Sequence, residues 1–502
     1  MFGIGPVARG QVGAPGGENV SVAERGRILL VLPFDNRTTN PSLDWIREAA
    51  PSLLSSRFAS AGFSPMSRAD RMYALDHLGL PEGFQPSRAS ALKLAQTLDA
   101  DSIIVGSYIT DGTDLVAEAR VVDVPHLRMG LPVTSRGAMH DLIDVFDSLA
   151  WQLTRQLDPQ FSGNEETFVA AGKGIRLDAF EQYIRGITEQ DQAERLRHLN
   201  QAVALSPDFS QAWMALGRED YNGQQYEEAA KAFDRVVGAN DPDMLEAGFY
   251  RGLSLLFSGN YAQAQLAFGN VARVLPLAEV VNNEGVAVSR QGHDGSPLFL
   301  QAVSADNNNA DYHFNLGVSL MRHGATSQAI TEMTQSLKLR PNDSEAQSLL
   351  KAWKTPAAPP APSTAMAGTD QTAEEDAKPD PLERIVRTFD AMAFRQAAVM
   401  MDQMEAAHLA ALTPHERAVK LAGQATDYLN RGLILEAERL YQSAETADGS
   451  LSEAHLGLAQ VRMRTGDLAA ARKEVGEALQ LDPGSKAAQD LNRRLETQAG
   501  QK

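Results

Sequence analysis

The pattern of apolar and polar positions changes character along the chain. Between residues 27 and 158, short apolar runs that are typical of strands alternate with segments of helical periodicity. After about Leu177 the strand-like runs stop, and apolar residues recur at the spacing of amphipathic helices. We therefore predict an α/β domain at the amino-terminal end, followed by an all-α region.

The first region contains the signals of a mixed sheet. Residues 28–32 are wholly apolar, which predicts a strand buried on both faces at the centre of the sheet. Residues 43–58 have helical spacing, but Pro51 lacks an amide hydrogen and is expected to kink or divide that helix. Apolar runs on both sides of Asp111-Gly112 predict an antiparallel hairpin. The remaining predicted elements are a helix at 89–98, a strand near 130–136 and a helix at 141–157.

Two stretches of this region match a known pattern. They are ILLVLPFDNRT at residues 28–38 and LDADSIIVGSYITDGTDLVAEARVVDV at residues 98–124. Together with the helices around them, they resemble the amino-terminal α/β domain of TolB-like proteins of the bacterial cell envelope. The family has a Gly-Ala-Asp-like step before its hairpin, and here Asp99 replaces the glycine. The resemblance covers about the first third of the chain and implies a location in the envelope.

The all-α region repeats itself with a period of about 34 residues. Small residues recur where two helices touch, an aromatic residue fills the wedge between them, and proline follows the second helix. These segments resemble tetratricopeptide repeats, which stack helix pairs into a solenoid. The positions predicted to have this structural role are Trp213, Gly217, Ala229, Gly252, Ala264, Gly317, Ala329 and Ala471.

The repeats are predicted to form two arrays. The first covers residues 176–354 and the second covers residues 381–497, each with a closing helix at its end. Residues 355–380 are rich in proline, alanine, threonine and acidic residues, which predicts a solvated linker that lets the arrays move independently. A second flexible link is predicted around Gly172, between the α/β domain at 27–158 and the first array. Residues 1–26 are predicted to be a disordered terminus or the remnant of a signal peptide.

Composition argues against several classes of function. The net charge of −18 and the pI near 5.1 do not suit a phosphate backbone, so no nucleic-acid partner is expected. The absence of cysteine excludes disulfides, thiolate nucleophiles and cysteine-ligated metals. No apolar run approaches the ~18 residues of a membrane span, so direct membrane insertion is not expected. The sequence therefore predicts neither a cofactor nor a metal.

Motifs for catalysis are sparse. The zinc-protease motif HExxH and the phosphate-binding P-loop are both absent. Ser90 and Lys93 form an SxxK pattern, as do Ser348 and Lys351. Both patterns lie on the predicted solvent-exposed faces of helices, and neither has the companion motifs of acyl-transfer enzymes. Asp35 and Asn36 follow the first strand, where they either form a turn or contact a ligand. We expect the protein not to be an enzyme.

Repeat arrays of this type, as the resemblance implies, hold a partner's peptide or helix in a groove lined by the first helix of each repeat. Methionine and phenylalanine in such a lining would repack around varied partners. Each lining residue could instead pack against a neighbouring helix, and the sequence leaves both interpretations open. The predicted lining residues are Met214, Arg218, Tyr221, Phe249, Leu253, Leu256, Phe257, Phe314, Val318 and Met321.

One subtype of these arrays clamps the carboxylate at a peptide's carboxyl terminus. Asn315 fits one position of that clamp. The residues at the companion positions, such as Met214 and Phe249, cannot donate hydrogen bonds to a carboxylate. A carboxylate clamp is therefore not expected.

Three hypotheses of function follow. The first is a non-enzymatic scaffold or adaptor of the bacterial cell envelope, located in the periplasm, that binds other proteins through its repeats. The second is a cytoplasmic accessory protein of signalling or transcription, because TolB-like domains followed by repeats also resemble the rear portion of such regulators. The third is a hydrolase that uses the α/β domain. The oligomeric state and the identity of the partner stay open.

Overall fold

The computed structural model describes residues 28–81, 87–237, 241–355, 382–389, 394, 400 and 404–499. The predicted amino-terminal segment at 1–26 and nearly all of the predicted linker at 355–380 lie outside these residues. The chain forms two compact units. One contains Met1–Leu177 with Ala418–Leu429 and Ile434–Lys502, and the other contains Asp178–Arg417 with Asn430–Leu433.

The first unit is built around a mixed sheet, as the sequence predicts. The apolar strand β1 pairs in parallel with β3 on one side and β4 on the other, while β4 and β5 form the predicted antiparallel hairpin. β2 pairs with β4, and β6 and β7 pair with β5. The strands are β1 (Ile28–Val31), β2 (Asp35–Asn36), β3 (Ser64–Pro65), β4 (Ser102–Asp111), β5 (Asp114–Asp123), β6 (Arg128–Met129) and β7 (Val133–Ala138).

Five helices accompany the sheet. Pro51 lies inside one continuous helix, so the predicted division there is wrong. Proline leaves the carbonyl of Arg47 without its usual amide donor, and the backbone amide of Phe34 donates to that carbonyl instead, at 3.1 Å. The helices are α1 (Ile46–Ser60), α2 (Arg68–His77), α3 (Arg88–Thr97), α4 (Leu142–Leu157) and α5 (Glu165–Gly172).

The segment expected to be a flexible link is ordered. It forms α5, whose Thr167 and Phe168 are fully buried. Gly172 closes that helix against a buried ion pair of α1 and α4, because a Cβ at Gly172 would lie only 2.2 Å from the Asp147 carboxylate. The Arg57 guanidinium binds that carboxylate with an Nε–Oδ1 distance of 2.8 Å. Burial raises the pKa of Asp147 to about 6, although Arg57 acts in the opposite direction.

The first repeat array lies in the second unit. Its helices follow one another in antiparallel pairs that end with the predicted closing helix, α16. Gly217, Gly252 and Gly285 each face a phenylalanine ring of the following helix, which explains why small residues recur at these positions. The helices are α6 (Leu177–Thr188), α7 (Gln192–Leu205), α8 (Ser210–Asn222), α9 (Tyr226–Asp234), α10 (Asp241–Phe257), α11 (Tyr261–Val274), α12 (Ala278–Arg290), α13 (Ser296–Ala305), α14 (Ala310–Arg322), α15 (Thr326–Leu339) and α16 (Ser344–Lys354).

The second array differs from its predicted extent. Residues 382–389, which were expected to open it, have no regular secondary structure and belong to the unit of the first array. Residues 404–411 are helical, and helix pairs of the repeat pattern follow from Pro414 and contact α5 within the first unit. Its helices are α17 (Pro414–Asn430), α18 (Ile434–Ala447), α19 (Ser452–Thr465), α20 (Leu468–Leu481) and α21 (Lys486–Ala499).

Candidate functional site

The first helices of successive pairs in the first array share one surface, and the chain's own residues 382–389 lie on it. We call residues 382–389 the groove segment. The groove is the surface that contacts it, formed by α8, α10, α12, α14 and the start of α16. Helical periodicity brings one face of each first helix to this surface, because residues three and four apart stand above one another. The groove is thus occupied by an extended stretch of the same polypeptide.

Buried asparagines hold the backbone of the groove segment. Asn315 accepts a hydrogen bond from the amide of Arg384 at 2.6 Å and donates to the carbonyl of the same residue at 2.8 Å. Asn283 accepts a hydrogen bond from the amide of Val386 at 3.0 Å and donates to the carbonyl of Val386 at 2.8 Å. Asn282 donates to the Arg384 carbonyl at 3.1 Å. Since a side-chain amide can satisfy both backbone groups of one residue, the asparagines bind the main chain of the peptide whatever its side chains.

Hydrogen bonds among the three asparagines fix the orientation of their side chains. Asn315 donates to the side-chain oxygen of Asn282 at 2.8 Å, and Asn282 donates to that of Asn283 at 3.2 Å. All three are fully buried, so each polar atom left without a partner would cost about 1–3 kcal/mol. The two residues whose backbone groups they bind, Arg384 and Val386, are two positions apart, which is the repeat of an extended strand. The groove is therefore shaped for an extended peptide.

A basic site receives the carboxylate of Glu383. Ser289 and Arg322 donate to this carboxylate, and the Arg290 guanidinium lies 3.7 Å from it. The Glu383 side chain is 1 % exposed. Hydrogen bonds to such a charged group are stronger than those between neutral groups. The charge of this site is complementary to an acidic side chain.

An acidic site receives the next residue, Arg384. Its guanidinium binds Asp311 at 2.9 Å, Asp343 at 2.6 Å and Glu345 at 3.1 Å. It also lies over the ring of Phe314, 3.6 Å from the ring centre. The guanidinium hydrogen bond is the main reason that the pKa of Asp343 lies below its ordinary value. Arginine suits this site better than lysine, because its planar guanidinium can bind carboxylates and stack on an aromatic ring at the same time.

Aromatic residues receive the other end of the groove segment. The ring of Phe389 lies 5.6 Å from that of Phe249 and 6.2 Å from that of Tyr250. The hydroxyl of Tyr221 donates to the carbonyl of Arg387 at 3.3 Å, while the Arg387 guanidinium lies 5.1 Å from the ring centre of Phe257. Aromatic pairs at such distances add to the energy of apolar burial. The groove segment is thus bound near both of its ends, at Glu383 and at Phe389.

The structure places the predicted lining residues in different surroundings. Tyr221, Phe249, Phe257 and Phe314 contact the groove segment, as described above. Arg218 is exposed and forms an ion pair with Glu246. Half-buried Met321 accepts a weak hydrogen bond from Thr326. Four other predicted lining residues are buried in hydrophobic clusters of the array, as Phe249 and Phe314 are, and their place in the groove stays a prediction: Met214, Leu253, Leu256 and Val318.

The groove also makes polar contacts that the sequence pattern did not predict. Asparagine, arginine and acidic side chains bind the groove segment, and tetratricopeptide spacing does not specify these residue types. Asn315 was expected only as a fragment of a carboxylate clamp, yet it binds an internal residue of a peptide through both backbone groups. The consecutive Asn282 and Asn283 in an amphipathic helix were the signal available in the sequence, since a buried amide needs partners.

The candidate catalytic residues Asn36 and Ser90 form hydrogen bonds that stabilise local structure. Asn36 accepts from the backbone amide of Thr38 at 2.9 Å and donates to Asp44 at 2.6 Å, so it stabilises a turn. Ser90 bonds with the hydroxyl of Ser87 at the start of α3. Across the described residues, no group of three or more histidine and acidic side chains could hold a metal ion. Among the same residues, no helix is both long enough and apolar enough to cross a membrane.

A family model described as tetratricopeptide repeat matches residues 196–244, 214–276 and 423–486. These segments are tetratricopeptide repeats. The matches fall in both arrays, in agreement with the helix pairs described above. No curated protein is detectably similar in sequence to the chain.

Solved structures resemble parts of the chain. MamA of Desulfovibrio magneticus RS-1 is 22% identical, with 34% of this chain and 99% of that chain covered and a TM-score of 0.30. YrrB, described as a tetratricopeptide-repeat protein with an unusual peptide-binding site, is 14% identical over 41% of this chain and 99% of its own, with a TM-score of 0.30. The carboxyl-terminal domain of LpoB from Escherichia coli is 18% identical over 23% and 84%, with a TM-score of 0.20. The resemblance to TolB-like proteins stays a prediction.

Proposed function

We propose that this protein is a non-enzymatic interaction scaffold whose first repeat array binds extended peptide segments of partner proteins. Tetratricopeptide repeats in general mediate protein–protein interactions, which gives the class of function. One observation carries the finer proposal: buried asparagines bind both backbone groups of Arg384 and Val386, two residues apart. A surface with such pairs binds extended main chain, and the surrounding charges select its side chains.

We place this function in the bacterial cell envelope, in the periplasm. The support is the resemblance of residues 28–38 and 98–124 to TolB-like proteins. The location is tested by fractionating the source cells and probing the protein in intact cells with an added protease. Degradation after the outer membrane is opened, and not before, is the expected result. Recovery in the cytoplasmic fraction would contradict it.

The binding proposal is tested by capturing partners from the source cells with three forms of the full chain. The natural chain is compared with an Asn283→Ala, Asn315→Ala variant and with an Asn200→Ala control. Asn200 is exposed on α7 and donates to the carbonyl of Leu196 in its own helix. Circular dichroism and melting are recorded for each form, because the removal of buried amides also affects stability.

Specific proteins are expected with the natural chain and the control, and are expected to be lost with the double variant. The same set of proteins on all three forms would contradict the groove as the binding site. Because the wild-type groove holds its own segment, the captured proteins are identified after chemical cross-linking, which also retains weak partners.

A further inference from the structure

The groove segment gives the chemistry of a peptide that the groove accepts. It is an internal stretch whose ends both continue into the chain, so no terminal carboxylate or amine takes part in its binding. The side-chain requirements come in a fixed order. A carboxylate meets Arg290 and Arg322, and the next residue, an arginine, meets Asp311 and Asp343.

The order of these charges sets the direction and register of the bound peptide. If the acidic and basic residues exchanged places, a carboxylate would face three carboxylates and a guanidinium would face two guanidiniums. Because like charges brought together in an interface repel each other, a peptide with the exchanged order would bind more weakly. Side chains farther along add apolar contact, because Ile385 and Phe389 pack on the core of the array. The asparagines then bind the main chain between these side-chain sites.

We propose that the groove takes an internal segment of a partner protein with this same chemistry: an acidic residue, an arginine, two aliphatic residues and, three positions later, an aromatic residue. The chain's own residues 382–389 are the intramolecular competitor for that site. This inference rests on the proposed function and adds the class of partner and its regulation. The groove segment is attached to the array that it occupies, so a partner must overcome a local concentration on the order of millimolar.

The experiment uses the full chain and two short fluorescent peptides. One peptide has the natural sequence PLERIVRTF of residues 381–389, and the other has the same composition with Glu383→Arg and Arg384→Glu. The same exchange is made in the chain itself, which frees the groove without altering net charge. A Thr388→Ala chain is the matched control, because Thr388 is an exposed residue of the groove segment. Binding is measured by fluorescence anisotropy.

The natural peptide is expected to bind the exchanged chain at least about tenfold more tightly than it binds the wild-type or Thr388→Ala chains. The exchanged peptide is expected to bind none of these forms measurably. Adding Asn283→Ala and Asn315→Ala to the exchanged chain is expected to abolish binding of the natural peptide. A chain in which glycine and serine replace residues 382–389 serves as a second open form if the exchanged chain does not fold.

Equal affinity of the natural peptide for the wild-type and the open chains would overturn the competition. Equal affinity of the two peptides, or no binding to a folded open chain, would overturn the stated peptide chemistry. Either result would leave the proposed function standing if partner capture still depended on Asn283 and Asn315. Loss of that dependence is what would remove the proposed function itself.

Discussion

Glycine and asparagine occupy the first helices of the repeats for different reasons. At Gly217, Gly252 and Gly285, a Cβ would lie 2.7–2.8 Å from the phenylalanine ring of the following helix. Those positions allow close packing inside the array, and their spacing made the repeats recognisable in the sequence. Asn283 and Asn315 instead face another stretch of backbone. Asn283 and Asn315 stand two residues before Gly285 and Gly317, so packing and binding residues occupy neighbouring positions of the same repeat.

Gln224 lies in the turn between two helices with a left-handed backbone, at a φ of 61°. The corresponding turns of later repeats have glycine, such as Gly259 and Gly324 at 80°. A side chain in this conformation costs about 1 kcal/mol, so Gln224→Gly is expected to stabilise the array by up to that amount. Gln225→Gly is the control, since Gln225 has an ordinary φ of −84° and should lose stability. Thermal melting measures both, and a lower midpoint for Gln224→Gly would contradict the expectation.

His455 links stability to pH. Its ring nitrogens face the Glu474 carboxylate at 2.9 Å and the Gly449 carbonyl at 3.4 Å, so the doubly protonated ring can donate to both. Burial lowers the pKa of His455, but these hydrogen bonds outweigh burial and hold the pKa above its ordinary value. The stabilisation is therefore complete below about pH 6.5 and is lost as the pH rises through the folded-state pKa.

His455→Gln removes the titration while keeping a side chain that donates hydrogen bonds. We expect the melting temperature of the natural chain, relative to this variant, to be highest below about pH 6.5 and to fall as the pH rises through the raised pKa of His455. The difference between the two proteins is the measurement, because it removes the pH effects that they share. A difference that does not change with pH would contradict the assigned role of His455.

At the scale of elements, α5 shows how a short helix binds a repeat array inside one unit. Glu438 of α18 is 1 % exposed and pairs with Arg462 of α19 at 2.5 Å. The Arg462 guanidinium also donates to the hydroxyl of Thr167 on α5, at 3.3 Å. Burial raises the pKa of Glu438, while Arg462 acts in the opposite direction. The contact of α5 with the array therefore depends on a buried ion pair.

Removal of one partner of this ion pair leaves a charge buried alone. Arg462→Met is expected to cost about 3–5 kcal/mol and to speed hydrogen exchange in α5. The double variant Arg462→Met, Glu438→Met is expected to recover most of the loss, because both buried charges are then gone. Hydrogen exchange of residues 165–172 and urea unfolding measure the two effects. Equal damage in the single and double variants would show that the ion pair does not hold α5.

The sequence predicted elements whose signal is local and repeated. The hairpin at Asp111-Gly112 and the helix pairs of the first array follow from turn residues and from spacing. It did not predict α5 or the position of the groove segment, because neither has a period. α5 is too short to show an amphipathic repeat. The groove segment is bound by residues that are distant from it in the sequence, such as Asn283, Asn315 and Phe314. Tertiary contacts of that kind leave no trace in spacing.

At the scale of the molecule, each unit combines a repeat array with a segment from outside its helix pairs. In the first unit, α5 contacts the array that begins at α17. In the second unit, residues 382–389 lie in the groove of the other array. Each array thus contacts a segment of its own chain. In the second unit this segment is the one with which we propose that partners compete.

The most direct test of this account is hydrogen exchange of residues 382–389 in the intact chain. The amides of Arg384 and Val386 donate to buried asparagine oxygens, so we predict slow exchange for both. In the Asn283→Ala, Asn315→Ala variant the same amides should exchange much faster, while α21 exchanges as before. Exchange of these two amides at the rate of an unstructured peptide in the natural chain would contradict the occupied groove.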